Sequence, residues 1–262
     1  MIDIHTHILF DIDGDDGSRS KEMTVEMLRM AADSGTTHMI ATPHVNRNEV
    51  IPDWLQIKER VEEVNELAVM HSIPVQIYTG GEVQLDYNIM RELSGNDDTY
   101  CLAGSRYILV ELTSQSDPSF VEEMLFELML RGYLPILAHP ERYDRIIHHP
   151  EVILKWMNKG LYTQCNTGSF YGYFGSRVQK RVQMLYNHQM ITFLGSDAHR
   201  IAFRTTDTRE AQYAIEKLTG SDLFWKQCSD HAKYILNKDV YYPEVPESFT
   251  KKKKGFFAQL FS

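Results

Sequence analysis

Residues 1–7 read Met-Ile-Asp-Ile-His-Thr-His, a short apolar run that breaks into two histidines. The same cadence returns along the chain. The run 38–41 leads into Thr42-Pro43-His44, 75–78 into Gly80-Gly81-Glu82, and 107–110 into Glu111. Further on, 134–137 leads into Ala138-His139, 162–165 into Asn166, and 191–194 into Ser196-Asp197-Ala198-His199. Each run is brief and rich in β-branched, aromatic or aliphatic residues, as buried parallel strands are.

Helical patterns lie between these runs. Met23, Met27, Met30 and Ala31 recur at helical spacing before Gly35, which predicts a C-cap there. Pro52 and Asp53 open a second helix with Val61, Val64 and Ala68 on one face. Further helices are predicted over 118–131, 150–159, 176–188 and 206–218. Seven strands alternating with helices predict a parallel α/β fold, either an open sheet or a barrel.

In such folds the active site gathers at the C-terminal ends of the strands. Six of the seven runs deliver His or carboxylate there: His5 and His7, His44, Glu82, Glu111, His139, then Asp197 and His199. Residues two apart on a strand point the same way, so His5 and His7 can grip one ion. The same holds for Asp197 and His199 if strand geometry persists that far. These eight groups, with an aspartate from the loop after the first strand, exceed the needs of one metal and suit two or three ions sharing carboxylates. The other histidines (His38, His71, His148, His149, His188 and His231) read as solvated or capping residues, and the methionines of the first helix as core.

Composition narrows the field. The chain has 262 residues, 43% hydrophobic and 24% charged, which is the balance of a folded domain with a substantial core. The formal net charge is −9, and the cluster Lys251–Lys254 leaves the rest more acidic still, a surface that repels nucleic-acid backbones. Three widely spaced cysteines without a C-x-x-C predict a reducing, cytoplasmic setting, and no apolar run approaches a membrane span. Phosphate-cradling glycine motifs and the G-x-S-x-G elbow do not occur. The residues six after Cys101, Cys165 and Cys228 are tyrosines, which excludes the C-x5-R thiolate phosphatases.

Together, His5-Thr6-His7, Thr42-Pro43-His44, Glu82, Glu111, His139 and Ser196-Asp197-Ala198-His199 resemble the polymerase and histidinol phosphatase (PHP) superfamily. The opening heptapeptide, Arg106–Glu111 and Ala138–Tyr143 resemble a narrower group, the manganese-dependent protein-tyrosine phosphatases of Gram-positive capsule and exopolysaccharide loci. The resemblance covers residues 1–237 and implies a distorted, TIM-like (β/α)7 barrel with about three Mn²⁺ ions, Fe, Co or Zn being acceptable substitutes. It implies metal ligands at His5, His7, Asp16, His44, Glu82, Glu111, His139, Asp197 and His199, and phosphate contacts from Arg142 and Arg204. The first loop, Asp13-Gly-Asp-Asp-Gly17, is one residue longer than the family pattern, so Asp13 and Asp15 stand beside Asp16 as alternatives.

The implied reaction is hydrolysis of phosphotyrosine on a protein partner, a membrane-associated bacterial tyrosine kinase that drives polysaccharide synthesis. A histidinol-phosphate phosphatase and a non-catalytic PHP module are the alternatives. Residues 238–262 read as a linker and tail in which Lys251–Lys254 precedes Phe256, Phe257, Leu260, Phe261 and Ser262. A polybasic patch beside aromatic residues predicts weak, salt-sensitive docking on an anionic membrane, at the inner face of the cell membrane.

Overall fold

The computed structural model describes residues 1–246 apart from positions 96 and 114, so the basic and aromatic segment 251–262 lies outside the described residues. Its strands are β1 (Ile2–Thr6), β2 (His38–Ala41), β3 (His44–Val45), β4 (Gln76–Tyr78), β5 (Glu82–Gln84), β6 (Tyr107–Glu111), β7 (Leu134–Ala138), β8 (Tyr162–Asn166) and β9 (Phe193–Gly195). All ladders are parallel, in the orders β1-β2-β4 and β3-β5-β6-β7-β8-β9. Every predicted run contains a strand, with ends moved by a residue or two. The short strands β3 and β5 are additions.

The chain steps from the first sheet to the second twice, at Thr42-Pro43 and at Thr79-Gly80-Gly81. Pro43 has no N–H to give to a ladder, but its carbonyl accepts the Glu82 N–H at 3.0 Å. A Cβ on Gly80 would lie 2.8 Å from Leu102 Cδ2, and one on Gly81 2.9 Å from Val45 Cγ2, so the second step needs glycine for close approach. These two steps start β3 at His44 and β5 at Glu82.

The sheet curls. Tyr107 on β6 and Phe193 on β9 are three strands apart, which is ~14 Å across a flat sheet. Their rings are 6.0 Å apart. They belong to a cluster with Ile4, Leu109, Ile136 and Tyr162 on the concave side. At the far edge the chain after β9 meets β1: Asp197 N–H donates to the His5 carbonyl and His7 N–H to the Ala198 carbonyl, both at 2.8 Å.

Helices cover the convex side, where Leu28, Val64, Val121, Leu125, Ile153 and Val182 join one large core. The helix Lys21–Asp33 is capped by Ser20, which accepts from Met23 N–H; Trp54–Met70 by Asp53; and Pro118–Leu130 by Asp117 with Pro118 in the first turn. The predicted helix 206–218 starts later, at Arg209. The hydroxyls of Thr206 and Thr208 are engaged elsewhere, on the Met27 carbonyl and Ser34 Oγ, and Asp207 caps the Arg209 N–H at 3.0 Å. A final helix, Leu223–Leu236, places Ala232 and Ile235 against the concave cluster. Beyond it Tyr241 crosses back over the fold, donating its N–H to Tyr107 OH at 2.8 Å and accepting from Tyr162 OH at 2.6 Å. Among the described residues no helix is long and apolar enough to cross a membrane.

Candidate metal centre

Five histidines and four carboxylates converge where β1, β3, β5, β6, β7 and the turn after β9 meet. His5 closes on the site because β1 is irregular: its register against β2 slips between Asp3 and Thr6. Ile4 belongs to the concave cluster, yet the next residue, His5, reaches the metal-binding group. A bulge of this kind re-aims a side chain. Asp197 and His199 converge for a different reason than strand alternation. The strand ends at Gly195, and Asp197 adopts φ +54° in a turn. His139 is also left-handed, at φ +34°. Backbone held in this sparsely populated region clusters at functional sites.

Glu82 is the hub. Its Oε2 lies 3.0 Å from His44 Nδ1, 3.3 Å from His5 Nε2 and 3.4 Å from His7 Nε2, and its Oε1 lies 2.8 Å from His139 Nε2. Asp197 Oδ1 faces His5 Nε2 at 3.5 Å and His7 Nε2 at 3.6 Å. Asp16 Oδ1 sits 3.2 Å from His199 Nε2 and 3.4 Å from His44 Nε2. Glu111 is more remote, 3.6 Å from His44 Nδ1 and 4.0 Å from His139 Nε2.

Groups behind the cluster set the tautomers. His7 Nδ1 meets Asp15 Oδ1 at 2.7 Å, His5 Nδ1 meets Gln164 Oε1 at 2.9 Å, and His199 Nδ1 meets the Asp197 carbonyl at 3.0 Å. Each partner is an acceptor, so each Nδ1 carries the hydrogen, which leaves each Nε2 to point inward and offer its lone pair to a cation. His5 Nε2 and His7 Nε2 then face one another at 3.3 Å. Two ligand atoms ~2.1 Å from a shared ion stand about 3.0–3.4 Å apart for right-angled to tetrahedral geometry, so the spacing fits a cation. Among the described residues the buried atoms His44 Nδ1, Glu82 Oε2, His139 Nδ1 and His199 Nε2 make no well-directed hydrogen bond, although Glu82 Oε2 lies close to His44 Nδ1 and Asp16 Oδ1 to His199 Nε2. Burial without a partner is costly, and coordination would relieve it for the atoms that point inward.

The electrostatics agree. Burial, the largest single influence, would lower His5 and His44, but the carboxylates together outweigh it, Glu82 first, with Asp197 at His5 and Asp16 at His44, and they rise to about 9 and about 10. A field that favours a proton favours a cation equally. Burial, then the Arg142 charge, pushes His139 down to about 4, and burial, then His7, does the same to His199. Burial and the neighbouring Glu82 raise Glu111 to about 7. The adjoining His199 and His44 imidazoles hold Asp16 well below the carboxylate range.

Both predicted arginines sit on Asp197 at the open side. Arg142 Nη1 donates to Asp197 Oδ2 at 2.9 Å, while Arg204 reaches Asp197 Oδ1 through Nη2 and the Asp197 carbonyl through Nε at 3.1 Å. Phe174 lies under the Arg142 guanidinium, 5.0 Å from ring centre to carbon.

Of the three first-loop aspartates, Asp13 is exposed, Asp15 stands behind His7, and Asp16 faces His44 and His199. Reading by type alone also missed the sixth strand's contribution. Gln164 orients His5, and Asn166 Nδ2 donates to Asp197 Oδ2 at 2.6 Å. Their spacing of two at the end of a strand was the available signal. His231 is neither solvated nor capping: it bridges the Thr192 carbonyl at 2.9 Å and Tyr241 OH at 2.8 Å.

Known proteins share this architecture. The chain is 31% identical over 258 residues, 98% of its length and 100% of the relative's, to the tyrosine-protein phosphatase YwqE of Bacillus subtilis. It is 26% identical over 241 residues, 90% of its length and 98% of the relative's, to the tyrosine-protein phosphatase CpsB of Streptococcus pneumoniae. It superposes with a TM-score of 0.86, at 30% identity and covering 96% of this chain and 100% of the other, on a solved chain from a crystallographic study of YwqE and CpsB, described as unique metal-dependent tyrosine phosphatases. Histidinol phosphate phosphatase from Lactococcus lactis shares the fold at a TM-score of 0.50 and 12% identity, over 83% of this chain and 93% of that one. The model of the family "Capsular polysaccharide synthesis, CpsB/CapC" matches residues 1–237, and the chain belongs to that family.

Proposed function

We propose that the chain is a metal-dependent protein-tyrosine phosphatase, a distorted (β/α)7 barrel over residues 1–237 with its metal centre at the C-terminal ends of the strands. The observation that carries this reading is the pair Arg142 and Arg204 gripping Asp197 beside a buried cluster of inward-facing imidazoles and carboxylates. His5, His7, Asp16, His44, Glu82, Glu111, His139, Asp197 and His199 would hold about three divalent ions, Mn²⁺ foremost, because mixed imidazole and carboxylate donors suit it. Such ions supply Lewis acidity, lowering the pKa of water towards neutrality and neutralising phosphate charge.

The chain's own residues do the rest. The two guanidinia offer forked donors to the non-bridging oxygens of a phosphate, and Phe174 fixes the plane of Arg142. Asp15, Gln164 and Asn166 hold His7, His5 and Asp197 in position. The phenol leaving group, with a pKa of ~10, needs little acid assistance. The substrate is a phosphotyrosine protein, a bacterial tyrosine kinase controlling capsular polysaccharide synthesis. The enzyme works in the cytoplasm, and Lys251–Ser262, at the end of the linker and tail 238–262, docks it peripherally on anionic membrane.

The test is a chelated enzyme assayed with Mn²⁺ add-back on a phosphotyrosine peptide and on histidinol phosphate. Hydrolysis of the peptide that disappears with chelation and returns with Mn²⁺ is expected. Preference for histidinol phosphate would move the reading to the small-molecule phosphatases.

A further inference from the structure

Two more arginines stand at the rim of the centre, and among the described residues no carboxylate is in ion-pair contact with either. Arg19 Nη1 donates to the Asp15 carbonyl at 3.4 Å, and Arg200 Nη1 to the His199 carbonyl at 3.1 Å. Their neighbours are paired: Arg47 with Asp16 at 2.9 Å, and Arg142 and Arg204 with Asp197. Neither Arg19 nor Arg200 makes an ion pair among the described residues.

The backbone brings the two together. Ser18 N–H donates to the His7 carbonyl at 3.0 Å and His7 N–H to the Ala198 carbonyl at 2.8 Å, so segments 18–19 and 198–200 flank residue 7. Asp16 and His199, in contact at 3.2 Å, join the same two loops. The charges also feel one another: burial first, and the Arg19 charge second, hold Arg200 below the usual arginine range, with Asp16 and Asp15 opposing them from beyond ion-pair contact. Like charges placed side by side with no carboxylate in direct contact are unfavourable, and here they occur in a chain of net charge −9.

The loop after His199 adds an apolar surface. His199 N–H donates to the Arg204 carbonyl at 2.8 Å and Arg204 N–H to Tyr173 OH at 3.1 Å, which pins the base of the turn. Ile201 and Phe203 project from it, 41% and 54% exposed. A peptide advances ~3.3–3.6 Å per residue when extended, so residues one to three places from a phosphotyrosine held at Arg142 and Arg204 reach this rim.

We propose that Arg19 and Arg200, with Ile201 and Phe203 between them and Arg204, form a subsite that selects phosphotyrosines flanked by aspartate or glutamate. The flanking carboxylates pair with the two guanidinia and the intervening peptide lies on the apolar turn. The subsite rests on the phosphatase reading above and adds to it the class of sequence preferred.

Matched phosphotyrosine peptides with acidic or amide flanks, and p-nitrophenyl phosphate, would be assayed with Mn²⁺-loaded enzyme and its Arg19→Gln/Arg200→Gln variant. At low salt the wild type should favour the acidic peptide by about tenfold in kcat/KM, since each exposed pair contributes a fewfold. The variant should bring the ratio to within about twofold while p-nitrophenyl phosphate turnover is retained, and lysine at both positions should restore part of the preference. Added salt at ~0.5 M should erode the wild-type ratio. Equal rates on the two peptides in the wild type, or a preference that survives in the variant, would overturn the subsite. No hydrolysis of the amide-flanked peptide or of p-nitrophenyl phosphate would instead overturn the phosphatase reading, and the subsite with it. Should the double variant melt early, Arg19→Gln alone, at an exposed site, makes the same comparison with about half the logarithmic effect.

Discussion

Asp15 and Asp16 are adjacent and meet different nitrogens of one imidazole cluster. Asp15 Oδ1 takes the His7 Nδ1 hydrogen at 2.7 Å and the His44 N–H at 3.1 Å, while Asp16 Oδ1 points at His44 Nε2 and His199 Nε2. The longer first loop thus supplies one carboxylate that orients His7 and one that faces two Nε2 atoms, and both lie in one candidate ligand group with His44.

The two aspartates should therefore separate experimentally. Asp15→Ala removes an orienting partner, and metal affinity should fall by about 10- to 100-fold with activity recovered at high Mn²⁺. Asp16→Ala removes a donor, so excess metal should not restore turnover. Metal titrations of both variants, read by bound-ion content and by kcat, check the assignment. Full rescue of Asp16→Ala would remove it from the ligand set.

Arg142→Ala deletes a forked phosphate contact. A loss of ~2–4 kcal/mol of transition-state stabilisation is expected, a ~30- to ~1000-fold drop in kcat/KM on a phosphotyrosine peptide. Arg142→Lys should recover only part of it, because lysine keeps the charge and loses the fork. Phe174→Ala should cost ~0.5–1 kcal/mol by freeing the guanidinium plane. Wild-type kinetics in Arg142→Ala would place the phosphate elsewhere.

The thiols should be silent. Burial, with Asp98 adding to it, pushes Cys101 up to about 12, and burial drives Cys165 and Cys228 well above the usual thiol range. A raised thiol pKa means that the folded protein keeps the neutral form, so thiolate appears only as pH climbs far above 8. At pH 8 about one Cys101 in ten thousand is ionised. Disulfide-exchange reagents should label the native protein far more slowly than the denatured one, and phosphatase activity should survive the treatment. Rapid inactivation by such reagents would point to a cysteine in the chemistry.

Deleting residues 251–262 should leave peptide turnover unchanged and remove binding to anionic vesicles. Four lysines contribute at most ~4 kcal/mol near such a surface, so the attachment should weaken sharply with salt. Co-sedimentation of full-length and shortened protein at low salt decides it. Equal sedimentation would dispose of the membrane role.

The seven main strands were legible because each is a buried run long enough for its composition to stand out, from Ile2 on β1 to Phe193 on β9. The strands β3 and β5 were not, since two or three residues carry no periodicity, yet their first residues are His44 and Glu82. The helix at Arg209 starts three residues late because Thr206 and Thr208 hydroxyls bond across to the first helix region, a contact that propensity does not contain. His231 was read as solvated for a similar reason: its partners, Thr192 and Tyr241, lie 39 and 10 residues away.

By itself the sequence determined the kinds of donor and their count, because His and carboxylate chemistry is a property of residue type, and it determined the parallel α/β order, because alternating apolar periods are local. Tertiary structure alone decided which atoms meet. The register slip in β1 turns His5 inward, the φ +54° turn at Asp197 sets that carboxylate between the imidazoles and the two arginines, and Asn166 from β8 locks it there. Those outcomes depend on distances between segments far apart in the chain, which residue types and their spacing do not encode.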